Sequence, residues 1–274
     1  MINKFALFST EGVSKIEIKF CSLASGSKGN CHLLKTEDTN ILIDLGLTLK
    51  DLEARLNLLG LKSSDIDGVI VSHEHSDHIK GIGPFSRRFG APIFVNYPTL
   101  KAATEKLGKV KNIHEFDSAE KFEINDLVIT PFSTSHDAAD PVGFTISVYD
   151  KKIGIATDMG IATNLVKTHL KACDILVVES NHDYELLMNG PYPWFLKQRI
   201  RGRQGHLSNI DALELINEVV TEKTEHIILA HMSETNNAEA KVVSSVIDHY
   251  NKTKGASINF ALTNQYHPAA MVMI

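Results

Sequence analysis

Cysteine is scarce in this chain, with three residues in 274, and tryptophan occurs once. The cysteines are odd in number, and Cys21, Cys31 and Cys173 lie in apolar, strand-like stretches where a free thiol behaves as a small hydrophobe. They point to a reducing compartment and are poor candidates for metal ligands. Long apolar runs are missing as well: none approaches the ~20 residues that span a bilayer. The opening segment 1–12 has one lysine and only a short apolar stretch before Ser9 and Thr10, so no secretory leader is expected. A cytoplasmic protein with no membrane partner is the expectation. Nor is there a basic excess. The net charge of −5 argues against a protein that coats nucleic acid with its whole surface, and leaves room for a local basic patch. No repeat, low-complexity tract or Pro/Ser-rich linker divides the chain, so one domain is expected over 1–274.

Histidine, by contrast, is plentiful: thirteen in a chain of this length need a reason. The apolar pattern places them. Residues 16–21 alternate, 25–30 break the alternation, and 31–34 and 41–43 resume it, which predicts an antiparallel opening. Leu49, Leu52, Leu56 and Leu59 recur at helical spacing behind Thr48, a suitable N-cap, and Gly60 closes that helix. The uniformly apolar run 68–72 reads as a buried strand. Helix 79–89, strand 92–95, helix 98–107 and strands 127–131, 143–149 and 153–157 follow. The last third alternates: helix 161–171, strand 175–179, helices between 184 and 220, strand 226–230, helix 238–250, and closing strands near 257–262 and 270–274. Such an order supports two sheets flanked by helices.

The cluster His73-Glu74-His75-Ser76-Asp77-His78 comes directly after the strand 69–71. Alternate side chains of an extended turn project together, so His73 and His75 can grip one ion while Asp77 and His78, a step into the next helix, face a second. Glu74 is expected to be a solvent-facing spacer. A two-metal site needs ligands from other strand ends, and His136, Asp158 and His231 each lie just past an apolar run. A lone histidine in such a place is usually a hydrogen-bonder; three candidates agreeing with one cluster reverse that.

Order, residue types and spacing resemble the ligand motifs of the metallo-β-lactamase superfamily, with Asp44 after Ile41-Leu42-Ile43 matching the first. The resemblance implies an αββα sandwich and two divalent metal ions, zinc or manganese, with iron also suited to such donors. It implies His73, His75 and His136 on one ion, Asp77, His78 and His231 on the other, Asp158 bridging, and Asp44 supporting the turn. Within the superfamily, Asp158 stands where several true β-lactamases carry cysteine, and His75 where the diiron flavoproteins carry glutamate. Thioester or lactone hydrolysis and phosphodiester hydrolysis remain.

Two residues speak for phosphodiesters. Glu179 ends the strand 175–179 and His206 lies in Gly205-His206-Leu207-Ser208-Asn209 just before a helix; a carboxylate oriented on an imidazole makes a general acid for a leaving alkoxide. The pair resembles the extra Glu and His of the tRNA-processing and β-CASP nucleases. Between them Lys197, Arg199, Arg201 and Arg203 concentrate positive charge beside Tyr192 and Trp194. Cations for phosphates and aromatics for bases suit single-stranded nucleic acid, although a solvated basic helix face is the plainer alternative. The turn 25–30, with Ser27 and Asn30, can offer backbone N–H groups to a phosphate or be only a tight hairpin. His182, close to Glu179, is a further substrate-binding candidate; His32, His114, His169, His226, His249 and His267 read as structural.

These stretches, with Ala24–Asn30, Glu179-Ser180-Asn181-His182-Asp183 and Leu229-Ala230-His231-Met232-Ser233, resemble the YycJ (WalJ) group of bacterial metallohydrolases over 21–250. That resemblance implies a DNA exonuclease acting from the 5′ end and linked to repair. The nucleophile is then a hydroxide bridging two metals, Asp77 belongs to the catalytic set, His206 on Glu179 is the acid, and the 197–203 cations position the backbone. Residues 180–205 are too few for an inserted β-CASP domain. Two other classes stay open: a small-molecule thioesterase or lactonase of the glyoxalase II kind on the same dinuclear site, and a non-catalytic nucleic-acid-binding module.

Overall fold

In the computed structural model, which describes residues 17–254 and 258–274, the opening alternation becomes an antiparallel meander of β1 (Lys19–Ala24), β2 (Cys31–Lys35) and β3 (Asn40–Ile43). The segment 1–12 and the outer ends of the expected strands, Ile16 and Ser257, lie outside the described residues. β4 (Gly68–Ile70), β5 (Ile93–Asn96) and β6 (Ile113–Phe116) then add in parallel. Parallel neighbours need a crossover, and helices supply it. α1 (Leu49–Leu58) precedes β4, α2 (Ser76–Ile79) and α3 (Ile82–Phe89) precede β5, and α4 (Tyr97–Leu107) precedes β6.

The second sheet repeats this plan. β7 (Phe122–Ile124), β8 (Leu127–Ser133), β9 (Val142–Val148) and β10 (Lys151–Ala156) are antiparallel, and β11 (Ile175–Glu179), β12 (His226–Ala230) and β13 (Asn259–Leu262) continue in parallel. Its crossovers are α5 (Asn164–Leu170), then α6 (Tyr184–Asn189), α7 (Trp194–Ile200) and α8 (Asn209–Val219), then α9 (Glu239–Val242) and α10 (Asp248–Lys254) joined by one π-helical turn. β14 (Val272–Met273) returns to pair with β1, so the sheets run β14-β1-β2-β3-β4-β5-β6 and β13-β12-β11-β10-β9-β8-β7.

Three apolar layers hold this together. Between the sheets, Phe20, Ile41, Ile43 and Ile70 meet Phe144, Ile146, Val177 and Ile228. On the outer faces, Leu42 and Val69 pack with Leu52, Leu56 and Phe85, and Leu176 and Val178 pack with Val166, Leu213 and Ile216. Successive residues of β11 thus enter different layers, the reason the strand reads as an unbroken apolar run.

Some expected bounds shift. The helix expected over 79–89 is two, because α2 starts inside the histidine cluster and the chain breaks at Gly81, where a Cβ would lie 2.3 Å from the Leu47 carbonyl. The helix expected from 161 begins at Asn164, where the Thr163 hydroxyl accepts from Val166 N. β6 and β7 were not expected. No helix among the described residues is long and apolar enough to cross a membrane.

Candidate metal centre

Three strands end on a residue in the left-handed backbone region: Asp44 after β3 (φ 59°), Asp158 after β10 (φ 57°) and His231 after β12 (φ 54°). Non-glycine residues seldom adopt it, and it costs on the order of 1 kcal/mol or more. The turn swings each polar side chain out of the strand's alternation toward one shared edge of the two sheets. Hydrogen bonds hold the exits: Asp44 N donates to Ile70 O (2.8 Å) and His231 N to Ser25 Oγ (2.8 Å). Asp44 in turn accepts from Ser72 N (2.8 Å), Ser72 Oγ (2.7 Å) and His78 Nδ1 (2.7 Å). With Nδ1 of His78 so engaged, its Nε2 faces the edge.

There the imidazoles and carboxylates gather. Ligand-type atoms of His73, His75 and His136 lie within 4.8 Å of one another, and so do those of Asp77, His78 and His231. His136 donates from Nδ1 to Gly205 O (3.0 Å), which leaves Nε2 facing His75 Nδ1 at 3.2 Å. His231 Nδ1 is 2.9 Å from Glu179 Oε1, and its Nε2 lies 3.6 Å from Asp77 Oδ2. Asp158 sits between the two groups, 3.4 Å from His78 Nε2, 3.6 Å from His231 Nδ1 and 3.8 Å from His136 Nε2. Three buried atoms here have no hydrogen-bond partner: His73 Nε2, His231 Nε2 and Asp158 Oδ2. Leaving such atoms unpaired is costly, and a nitrogen–oxygen donor set of this kind suits divalent cations. The clusters fit, and imply, divalent metal ions.

The electrostatics agree. Burial, and then the neighbouring imidazoles, push His73 well below its ordinary value, so it is neutral, the form that binds a metal. Burial would also lower His78 and His231, but carboxylates override it. Asp158, Asp44 and Asp77 raise His78 to about 9, while Asp158, Asp77 and Glu179 raise His231 well above 6.5. Conversely, burial would raise Asp77 and Glu179, yet the adjacent imidazoles hold both well below the carboxylate range. Without metals, protons on His78 and His231 balance the carboxylates.

Glu179 is fully buried. Its Oε1 contacts His206 Nδ1 (2.7 Å) as well as His231, and its Oε2 accepts from Met159 N (3.1 Å) and Leu207 N (3.2 Å). The His206 side chain, 19% exposed, is the member of this pair that meets solvent. His182 is buried, its Nδ1 has no partner, and burial lowers it to about 4. Its backbone bridges to Ser208, so it is part of the frame that carries His206 and not a surface group.

The turn 25–30 is a hairpin and not a phosphate cradle. Ser25 N donates to Asn264 O, Gly26 N to Asn30 Oδ1, Lys28 N to Gln265 Oε1, Gly29 N to Gly26 O and Asn30 N to Asp77 O. Of the amides of residues 25–30, only that of Ser27, at the exposed tip, has no acceptor. Asn30, expected to contact substrate, is buried with Nδ2 3.0 Å from His78 Nε2 and 3.3 Å from Asp77 Oδ2. It braces the cluster from beneath. Gly46 packs against the same helix start, where a Cβ would overlap the Asp77 carbonyl at 1.7 Å.

The basic run divides. Lys197 is buried and donates to Met188 O (2.7 Å), which removes it from the exposed cations; the seven-residue helix turns it inward. Arg199 pairs with Asp137 (2.5 Å), next in sequence to His136. Arg201 and Arg203 are exposed, and Trp194 is exposed as well. Glu74 accepts from Ala139 N, so it ties two loops together instead of only facing solvent. Sequence reasoning missed Ser72, which reaches Asp44, His73 and His78, and Asp137. Their only signal is adjacency to a histidine of the cluster.

Two helix-flanked sheets with an imidazole–carboxylate cluster at one edge define a metallohydrolase of the metallo-β-lactamase fold. The chain belongs to the beta-lactamase superfamily, whose domain matches residues 39–232. It is 36% identical over 231 residues to a Bacillus anthracis protein named exodeoxyribonuclease YycJ, covering 84% of this chain and 88% of that one. It is also 36% identical over 229 residues to exodeoxyribonuclease WalJ of Streptococcus pneumoniae serotype 2, covering 82% and 85%. The solved metallo-β-lactamase fold protein YhfI of Bacillus subtilis shares the fold at a TM-score of 0.71 and 17% identity, covering 95% of this chain and all of that one.

Proposed function

We propose that the chain is a metal-dependent phosphodiester hydrolase, a DNA exonuclease that works from the 5′ end and serves DNA repair in the cytoplasm. The observation that carries this reading is the Glu179–His206 pair beside the cluster, with His206 Nδ1 2.7 Å from Glu179 and 3.8 Å from Asp158. A thiolate leaves a thioester unprotonated, whereas the alkoxide of a phosphodiester needs a proton. An imidazole with one nitrogen held by a buried carboxylate and the other toward solvent can give it. The names of the relatives support DNA as the polymer.

In this reading His73, His75 and His136 would hold one ion and Asp77, His78 and His231 the other, with Asp158 available to both; Asp44, through Ser72 and His78, keeps the β4–α2 turn in place. Zinc and manganese both suit these donors. The chemistry supplied by bound divalent cations is activation of water and neutralisation of charge on the phosphoryl oxygens. Glu179 keeps the His206 ring oriented toward the leaving oxygen, to which His206 gives its proton. Arg199, Arg201 and Arg203 draw the phosphate backbone to the edge.

The test restores zinc or manganese to stripped protein and offers 5′- or 3′-end-labelled DNA and RNA, single- and double-stranded. Metal-dependent release of mononucleotides from the 5′ end of DNA is expected. Cleavage by a metal-free His73→Ala protein would overturn the reading, as would hydrolysis of S-lactoylglutathione with no phosphodiester cleaved.

A further inference from the structure

The end of the sandwich formed by β6 and β7 is open. β6 is the last strand of the first sheet and β7 the last of the second; among the described residues β6 pairs only with β5, and β7 only with β8. Alternate amides and carbonyls along the outer side of each therefore have no strand beyond them. Ile113, His114 and Glu115 of β6 are exposed, Ile113 at 39%.

Between the two edges lies a cleft of about 330 Å³ built on stacked rings. His114 stacks on Phe94 with 5.0 Å between ring centres, Phe94 on Phe122 at 5.6 Å and Phe122 on Phe116 at 4.9 Å. Phe116 is buried and Phe94 and Phe122 are half-buried, so the column is anchored in the core and ends in solvent at His114. Four carboxylates line the same cleft, Glu115, Asp117, Glu120 and Glu123, against one cation, Lys121. Among the described residues none of the four forms an ion pair. No imidazole or carboxylate of the metal centre lines it.

We infer that this end of the sandwich docks an extended, arginine-bearing segment of a partner protein. The segment adds as a strand beside β6, whose outward amides and carbonyls pair with its backbone, and a guanidinium enters the cleft between rings and carboxylates. Charge decides the class of occupant. Nucleic acid would bring its phosphates to four unpaired carboxylates and is repelled. Arginine matches both features of the cleft, since its planar guanidinium stacks on ring faces and bonds carboxylates. A second copy of the chain, aligned edge to edge through β6, would bring the two sets of carboxylates together. The inference stands apart from the phosphodiesterase reading and needs no metal.

The full chain is titrated with a fluorescein-labelled hexapeptide that alternates valine with arginine, and with versions that carry lysine or glutamate in place of arginine. Saturable binding of the arginine peptide is expected, about threefold weaker binding of the lysine peptide, and none of the glutamate peptide. Hydrogen exchange on the arginine complex should slow by about tenfold at the outward amides of β6 and stay unchanged at the histidine cluster. Glu115→Lys should weaken the arginine peptide by about tenfold and His114→Leu by about threefold, each with an unchanged melting temperature. The first variant reports the charge of the cleft and the second its outermost ring. Equal binding of the arginine and glutamate peptides, protection that misses β6, or an affinity that Glu115→Lys leaves unaltered would each overturn the docking site. So would self-association, followed by sedimentation, that Glu115→Lys abolishes, because the occupant is then a second copy of the chain.

Discussion

Glu179 presents one oxygen, Oε1, to two imidazoles, His206 at 2.7 Å and His231 at 2.9 Å. A neighbour of this kind cannot be removed without disturbing both. Glu179→Gln should therefore lower metal content as well as turnover, because an amide orients His231 less firmly. His206→Ala should leave two metals bound and reduce turnover by about 10²–10⁴-fold, the usual worth of a general acid. Metal analysis beside turnover for both variants checks this; full metal content in Glu179→Gln would show that its contact with His231 does not matter. A second expectation concerns pH. Burial lowers His32, and likewise His182, from 6.5 to about 4. The unfolded chain thus takes up these protons first, so the stability they represent is present above about 6.5 and is lost as pH falls toward 4. At 1.36 kcal/mol per unit, His32 alone accounts for about 3 kcal/mol of that loss. His32→Gln should flatten the stability profile between these values, and a denaturant series at several pH values would detect an unchanged slope.

At the scale of elements, legibility followed burial. β11 and β12 stand at the residues their apolar runs mark, because both faces of each strand are covered. β6 escapes notice because three of its four residues are exposed and only Phe116 is buried, while β7 is three residues long. The cluster 73–78 is visible because its members are contiguous. The role of Asn30 is not, since it depends on Asp77 and His78, 47 and 48 residues away. The fate of the turn's amides likewise rests on Asn264 and Gln265, near the other end of the chain. Composition marks the run 197–203 as basic, but the phase of a short helix decides which cations face out, and Lys197 falls on the inner side.

For the whole molecule, the cluster is a seam. His73, His75, Asp77 and His78 follow β4 of the first sheet, whereas His136, Asp158 and His231 leave strands of the second. Each group of three ligand-type residues therefore draws on both sheets. The two triads assigned to the ions, His73, His75 and His136 and Asp77, His78 and His231, are therefore complete only after the two sheets have docked. The consequence concerns rates. If docking follows the folding barrier, bound zinc or manganese stabilises the native state and not the transition state, which slows unfolding and leaves refolding unaltered. Stopped-flow unfolding with and without metal should show the unfolding arm of the chevron fall while the folding arm stays in place. A folding arm that rises with metal would mean that the ions join the sheets early, as a nucleus.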